Sequence, residues 1–278
     1  MSMSRRTFLK VALRGTAAMS VAALGGTVYT TRVEPVALEV TRLTVRLPNL
    51  PPQLAGVTLA QVSDVHFGMW MKYDYALSVA EKVNELNPDF VAVTGDFVSR
   101  IDPGTPDEIS GWLRTFNAPV YASLGNHDHW TDANIVSEAV QNGGAALLRN
   151  ANAAFERDGQ TLFIAGVDDI WERQQDLDAA LNGVPQDGAV ILLAHEPDYA
   201  DAVREDGRVG LQLSGHSHGG QVRLPLVGAP LLPYLGTKYS IGMYELGAMR
   251  VYVNRGVGMI APYVRLGCPP EITLITLE

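Results

Sequence analysis

The sequence predicts an α/β fold, a two-sheet sandwich flanked by helices, and three observations carry that reading. Residues 90–94 form a continuous apolar run, the pattern of a strand covered on both faces. Helix-spaced segments separate the early apolar runs, as in right-handed βαβ units. Short polar turns follow those runs at Asp64, Asp96 and Asn126, 32 and 30 positions apart, and about 30 residues is one βαβ repeat. The 278 residues, 47% of them hydrophobic, supply enough apolar surface for one large core.

Taken in order, 36–47 alternates apolar and polar residues (Leu38, Val40, Leu43, Val45, Leu47) and predicts a strand that Pro51 and Pro52 end. A second strand is expected over 56–62. Leu77, Ala80, Val83 and Leu86 share one helical face over 75–86, before Asn87 and Pro88. Strand 90–94 follows, then a helix over 107–116, a strand over 119–124 and a helix over 133–141. Later strands are expected at 161–167, 190–194 and 209–214. Towards the C-terminus the alternation with helices stops. There 241–246, 249–254 and 272–277 read as short strands without helices between them, so the sheet is partly antiparallel. No fixed-period repeat or composition break marks a second domain, and 33–278 reads as a single domain.

Residues 1–32 read as a leader rather than as part of the fold. Ser4-Arg5-Arg6-Thr7-Phe8-Leu9-Lys10 precedes 15–31, which carries no charge and is rich in Ala, Gly, Thr and Val. A basic start before a short, mildly apolar run is the pattern of an export signal. Paired arginines beside Phe-Leu-Lys look like the twin-arginine address. The chain is thus expected to use the twin-arginine export machinery and to act in the periplasm or another extracytoplasmic space. No clear Ala-x-Ala site precedes Val33, so an uncleaved N-terminal membrane anchor is the alternative to a removed signal.

Charge and cysteine content exclude several classes. The net charge is −9; five of the 21 bases lie in residues 1–32, which hold no acid, so the remainder sets 16 bases against 30 acids. An acidic body argues against nonspecific nucleic-acid binding. The single cysteine, Cys268, excludes an intramolecular disulfide framework and any multi-cysteine metal site.

The chemistry concentrates at strand ends. Ser63-Asp64-Val65-His66, Thr94-Gly95-Asp96, Gly125-Asn126-His127-Asp128, His195 and Gly215-His216-Ser217-His218 each follow an expected strand. The carboxyl edge of an open α/β sheet is where ligands bind. Asp64 and His66 are two positions apart, as are His216 and His218, so in extended chain each pair would face one site. Carboxylates, imidazoles and one amide without thiolate suit Mn, Fe or Zn. Seven such groups exceed one tetrahedral centre and suit two divalent ions sharing a bridging carboxylate.

In that order and at those spacings, Asp64-x-His66, Gly95-Asp96, Gly125-Asn126-His127-Asp128, His195 and Gly215-His216-x-His218 resemble the calcineurin-like metallophosphoesterase superfamily. The tail Arg265-Leu266-Gly267 with Pro270-Glu271-Ile272-Thr273, together with the twin-arginine start, resembles its exported YkuE/YaeI-type phosphodiesterases over nearly the whole chain. The resemblance implies a four-layer α/β/β/α arrangement. It implies that Asp64, His66 and His218 hold a first ion, that Asn126, His195 and His216 hold a second, and that Asp96 bridges them. It further implies that the ions acidify a water that attacks phosphorus. His127 would stabilise the transition state or protonate the leaving oxygen, with Asp128 orienting it. The implied reaction is hydrolysis of a phosphodiester or pyrophosphate, on a cell-envelope or lipid-linked substrate. A phosphomonoesterase, or a non-catalytic metal-containing binding protein of the cell envelope, are the alternatives; the intact His127 argues against the latter.

Outside this set, His129 and Trp130 read as surface residues, with a rim contact to substrate as the alternative. Asp168 and Asp169 read as caps for a following helix, and Cys268 as a small buried apolar residue. The apolar loops 67–75 and 224–235 directly follow the first and last motifs. They either pack on the body or form an apolar rim for a lipid-linked substrate at a membrane surface.

Overall fold

The computed structural model describes residues 5–278, with the side chains of 9–13, 15–18 and 21 outside the description. Of the twin-arginine stretch, Ser4 and the side chains of Leu9 and Lys10 therefore lie outside the described residues.

Two six-stranded mixed sheets face each other. The first has the order β1 (Glu39–Val45), β12 (Glu271–Leu277), β2 (Thr58–Val62), β3 (Phe90–Thr94), β4 (Val120–Ser123), β5 (Ala146–Leu147). Strands β2 to β5 run parallel, and only the β12–β2 pair is antiparallel. The second has the order β10 (Gly242–Leu246), β11 (Met249–Val253), β9 (Leu211–Ser214), β8 (Ala189–Leu193), β7 (Gln160–Gly166), β6 (Ala151–Arg157). Its centre is parallel and its two edges are antiparallel hairpins.

The alternation of side chains along each strand explains the continuous apolar runs. In β3, Phe90 and Ala92, with Leu59 of β2, face the second sheet and share one core cluster with its Ile164, Ile191 and Leu213. Val91 and Val93 face outward against α2 (Tyr73–Leu86), α3 (Thr105–Leu113) and α4 (Asn126–Asn142). Val190 and Leu192 of β8 likewise pack outward, against α5 (Leu177–Ala180) and α6 (Ala200–Val203). The order is helix, sheet, sheet, helix. Each fully buried Val, Leu or Phe contributes about 1.5–3 kcal/mol. Trp112 is fully buried between α3 and α2, and its indole N–H donates to the Ala76 carbonyl at 2.9 Å.

Three local expectations change. The helix expected over 133–141 begins at Asn126, because its first turn is fixed directly after β4; an extended Asp132 (φ −171°) interrupts it. Strands β5 and β6 were not anticipated. Strand β6 is rich in Ala and carries Asn, Glu and Arg, so it shows no apolar alternation, and its hairpin with β7 places it at an edge. The third change is at the N-terminus, where α1 (Arg5–Val28) leads into a short helical stretch that contacts the domain from Thr30 onward. The Arg265 amide donates to the Thr30 carbonyl (3.0 Å), and the Cys268 amide donates to the buried Glu34 carboxylate (2.7 Å). No helix among the described residues is long and apolar enough to cross a membrane.

Candidate metal centre

Five strand ends converge where the two sheets meet. Asp64 and His66 follow β2, Asp96 follows β3, Asn126 and His127 begin α4 after β4, His195 follows β8, and His216 and His218 follow β9. The pairs do not reach the site in extended chain. Asp64, His66, Asp96, His216 and His218 hold left-handed backbone, with φ between 50° and 67°. That conformation costs an L-residue roughly 1–2 kcal/mol. Backbone bonds hold it: the Asp64 amide donates to the Gly95 carbonyl, and the His66 amide to the Asp96 carbonyl, each at 3.1 Å. Gly215 is required by close approach, since a β-carbon there would overlap Ser63 Oγ and the Asp64 carboxyl.

Asp64, His66, Asp96 and His218 form one buried group whose donor atoms all lie within 4.8 Å of one another. His218 Nε2 is 3.3 Å from Asp64 Oδ1 and 3.0 Å from His66 Nε2. Beside this group, His195 Nε2 is 3.1 Å from Asp96 Oδ2, and His216 Nδ1 is 2.9 Å from Asn126 Oδ1. The structure therefore brings all seven expected ligand residues together. Asp96 lies between the two sets, because the same Oδ2 is 3.5 Å from His66 Nε2.

Hydrogen bonds to the outer ring nitrogens set the tautomers. His195 Nδ1 donates to the Thr94 carbonyl at 2.6 Å, and His216 Nε2 to the Tyr234 carbonyl at 2.7 Å. The neutral His216 is left with a lone pair on its inner nitrogen. His195 Nε2 is buried 3.1 Å from Asp96 Oδ2, and against burial that carboxylate holds the imidazole well above its usual pKa, while the His216 lone pair faces the Asn126 amide oxygen, acceptor against acceptor. A divalent cation resolves both arrangements, and the donor types suit one, so the residues fit the implied metals.

Charge is concentrated accordingly. Burial pushes Asp64 up to about 7, partly offset by His195. Burial acts on Asp96 too, but the surrounding imidazoles, His195 first, outweigh it and hold Asp96 well below the usual carboxylate range. Burial drops His66 and His216 to about 3, so both are neutral and able to coordinate.

A cavity of about 150 Å³ opens onto this cluster, walled by His127, Trp130, Trp171, Pro233 and Ile260. The half-buried His127 ring sits edge-on to His66 and tilted against Trp130, each at 4.8 Å between centroids. Its amide donates to Asp96 Oδ1 at 2.9 Å. Asp128 does not orient His127. Its Oδ2 accepts from the Gly125 amide (2.9 Å) and its Oδ1 from the Val98 amide (3.1 Å), so both oxygens serve backbone. It fixes the turn that presents Asn126 and His127.

Sequence reasoning missed Trp171. It reaches the cavity because the buried Glu196 carboxylate accepts from the Ile170 and Trp171 amides. Trp171 then lies edge-on to His216, at 5.8 Å between ring centroids. The one signal available was a Trp close after a strand end. Asp168 and Asp169 do not cap α5, which Asp176 caps through the Ala179 amide. Asp169 accepts from the Glu172 amide, and Asp168 binds His129 (2.7 Å) and Arg149 (2.8 Å). His129 is thus tied up in an ion pair, while Trp130 lines the cavity.

Comparison with known proteins agrees with this geometry. Residues 57–220, which contain every residue of the cluster, match the family model described as calcineurin-like phosphoesterase. The metallophosphoesterase YkuE of Bacillus subtilis is 36% identical, over 99% of this chain and 98% of its own. The phosphodiesterase YaeI of Escherichia coli is 29% identical over 99% of each chain. The UDP-2,3-diacylglucosamine pyrophosphatase LpxG of Chlamydia trachomatis is 27% identical over 89% of this chain and 92% of its own. With its metal-ligating residue types gathered at the sheet edges and its family match spanning them, the chain belongs to the calcineurin-like phosphoesterase family and is a phosphoester hydrolase.

Proposed function

We propose that the protein is an exported phosphodiesterase or pyrophosphatase with two divalent ions. Asp64, His66 and His218 hold one ion, Asn126, His195 and His216 the other, and Asp96 lies between. The observation that carries this is the shared Asp96 Oδ2, 3.5 Å from His66 Nε2 and 3.1 Å from His195 Nε2. The bound ions supply positive charge to the phosphoryl oxygens and acidify water. The protein supplies the rest. The outer hydrogen bonds of His195 and His216 keep their inner nitrogens aimed inward. His127 stands over the cavity with a ring that makes no hydrogen bond among the described residues, so its N–H is free to give a proton to the departing oxygen. Trp130 and Trp171 form an apolar wall that limits water around the reacting group.

A lipid-linked substrate of the cell envelope is the preferred class. Leu226, Val227 and Leu231 of the 224–235 loop are largely exposed beside the centre, and Pro233 of that loop lines its cavity. The relative from Chlamydia trachomatis is named for a diacylated substrate. The paired Arg5 and Arg6 support twin-arginine export and action outside the cytoplasm.

The test uses the full-length chain. Metal analysis is paired with hydrolysis of bis-(p-nitrophenyl) phosphate and of p-nitrophenyl phosphate, with Mn, Zn and Fe added in turn. The expected result is two ions per chain and faster diester cleavage, reduced at least about 10⁴-fold in Asp96→Asn. Faster monoester cleavage would replace the diester reading, and two ions without turnover on any ester would refute the catalytic one.

A further inference from the structure

We propose that a second cavity, next to the metal centre and walled by the segment that follows α1, binds the anionic head of an amphiphile. This deepens the substrate reading above and rests on it only for the identity of the ligand. The cavity measures about 600 Å³. Arg32, Lys72 and Arg100 line it, together with Trp70, Tyr75 and Tyr263, and no acidic residue does. Such a concentration of cations stands out in a chain of net charge −9. Arg100 is bound to Asp102, but Arg32 and Lys72 form no ion pair among the described residues, so their charge is available. Trp70 and Tyr75 meet edge-to-face at 5.9 Å. Unpaired cations and an aromatic wall are the complement of an anion carrying apolar bulk.

The walls are fixed in place. On one side, Arg32 lies between two anchors, the Thr30 carbonyl held by the Arg265 amide and the Glu34 carboxylate held by the Cys268 amide. On the other side, the Phe67 and Ser99 amides lock the turn at Gly68 through bonds to Phe97 and Phe67. Ser99 Oγ also lies 2.9 Å from His66 Nδ1, which ties this wall to the metal cluster. The 260–263 stretch separates the cavities, with Ile260 lining the metal cavity and Tyr263 the cationic one. A substrate with its phosphoester at the metals can thus place a second anionic group here.

The test is a binding measurement on full-length Asp96→Asn protein stripped of metal, so that turnover plays no part and a failure of the hydrolase reading is scored separately. Titration calorimetry with monomeric octyl phosphate is expected to show saturable binding, weakened at least about tenfold by Arg32→Ala with Lys72→Ala. Octyl glucoside, which has the tail without the charge, is expected not to bind. Cosedimentation with phosphatidylglycerol vesicles but not phosphatidylcholine vesicles, lost in the same double variant, would identify the source as a membrane lipid. Octyl phosphate binding without vesicle binding would identify a free amphiphile. Equal binding by the double variant, equal binding of octyl glucoside, or no binding at all would overturn the proposal.

Discussion

The metal cluster and the Glu271 network are both buried, both polar, and both touch the 254–258 loop, yet they are built in opposite ways. Around Glu271 every contact joins a donor to an acceptor. Its Oε1 accepts from the Tyr252 hydroxyl (2.5 Å) and its Oε2 from Arg255 Nε (2.9 Å), while Asn254 donates to Thr273 (2.8 Å) and accepts from the Gly256 amide (2.7 Å). In the metal cluster, the His216 ring nitrogen meets the Asn126 amide oxygen acceptor to acceptor, and most of the ligands stand on backbone held in the left-handed region. The loop connects the two, because the Val257 and Gly258 amides donate to the Ser63 and Asp64 carbonyls. A satisfied network lowers the energy of the fold. An unsatisfied one is held in place by its surroundings and is completed by what it binds.

That contrast is open to attack at three points. The largest effect is expected at His127, which belongs to the site but to neither set of ligands. His127→Ala should lower kcat by about 10²–10⁴-fold while metal content stays at the wild-type value. Loss of metal in that variant would move His127 into the ligand set. Removal of metal comes next. An unsatisfied cluster should be stabilised by its ions, by about 2.7 kcal/mol at free ion one hundred times the dissociation constant. Chelation should therefore lower the melting temperature, and an unchanged transition would mean that the cluster needs no cation.

The smallest effect belongs to the satisfied network. Glu271→Gln should destabilise the protein by about 2 kcal/mol at neutral pH, measured by urea unfolding. Burial raises the Glu271 pKa, but Arg255 and the hydroxyl donors outweigh it, so the folded value lies below the ordinary 4.5. The stabilisation is then complete above 4.5 and is lost as pH falls through the folded value. The difference between wild type and variant should shrink below pH 4.5, and a constant difference would show that the charge contributes nothing.

Much of this was legible in the sequence because it depends on local periodicity. Strand β3 falls on its expected bounds, since a strand covered on both faces leaves an uninterrupted apolar run. The ligand residues could be ordered because each follows a strand. Their backbone was not legible: the i, i+2 pairs suggested extended chain, whereas tight left-handed turns deliver them. Strand β6 was missed despite the Asp158-Gly159 turn that joins it to β7, since its alanines give no alternation to read. Trp171 was beyond reach for another reason, as Glu196, 25 positions away, places it. The docking of Thr30 and Glu34 on the 265–268 turn is likewise a contact across more than 200 positions that no local pattern encodes.

The left-handed turns at Asp64, His66, Asp96, His216 and His218 also bear on the history such a chain can record. At each of these positions glycine or asparagine is easier for the backbone than most side chains. While hydrolysis is under selection, the ligand is kept against that preference. In a lineage released from hydrolysis, the preference acts unopposed, and substitutions there run in one direction. Glycine at several of these five positions, in a descendant that keeps the sandwich, would mark a retired catalyst and distinguish it from one that has merely changed substrate.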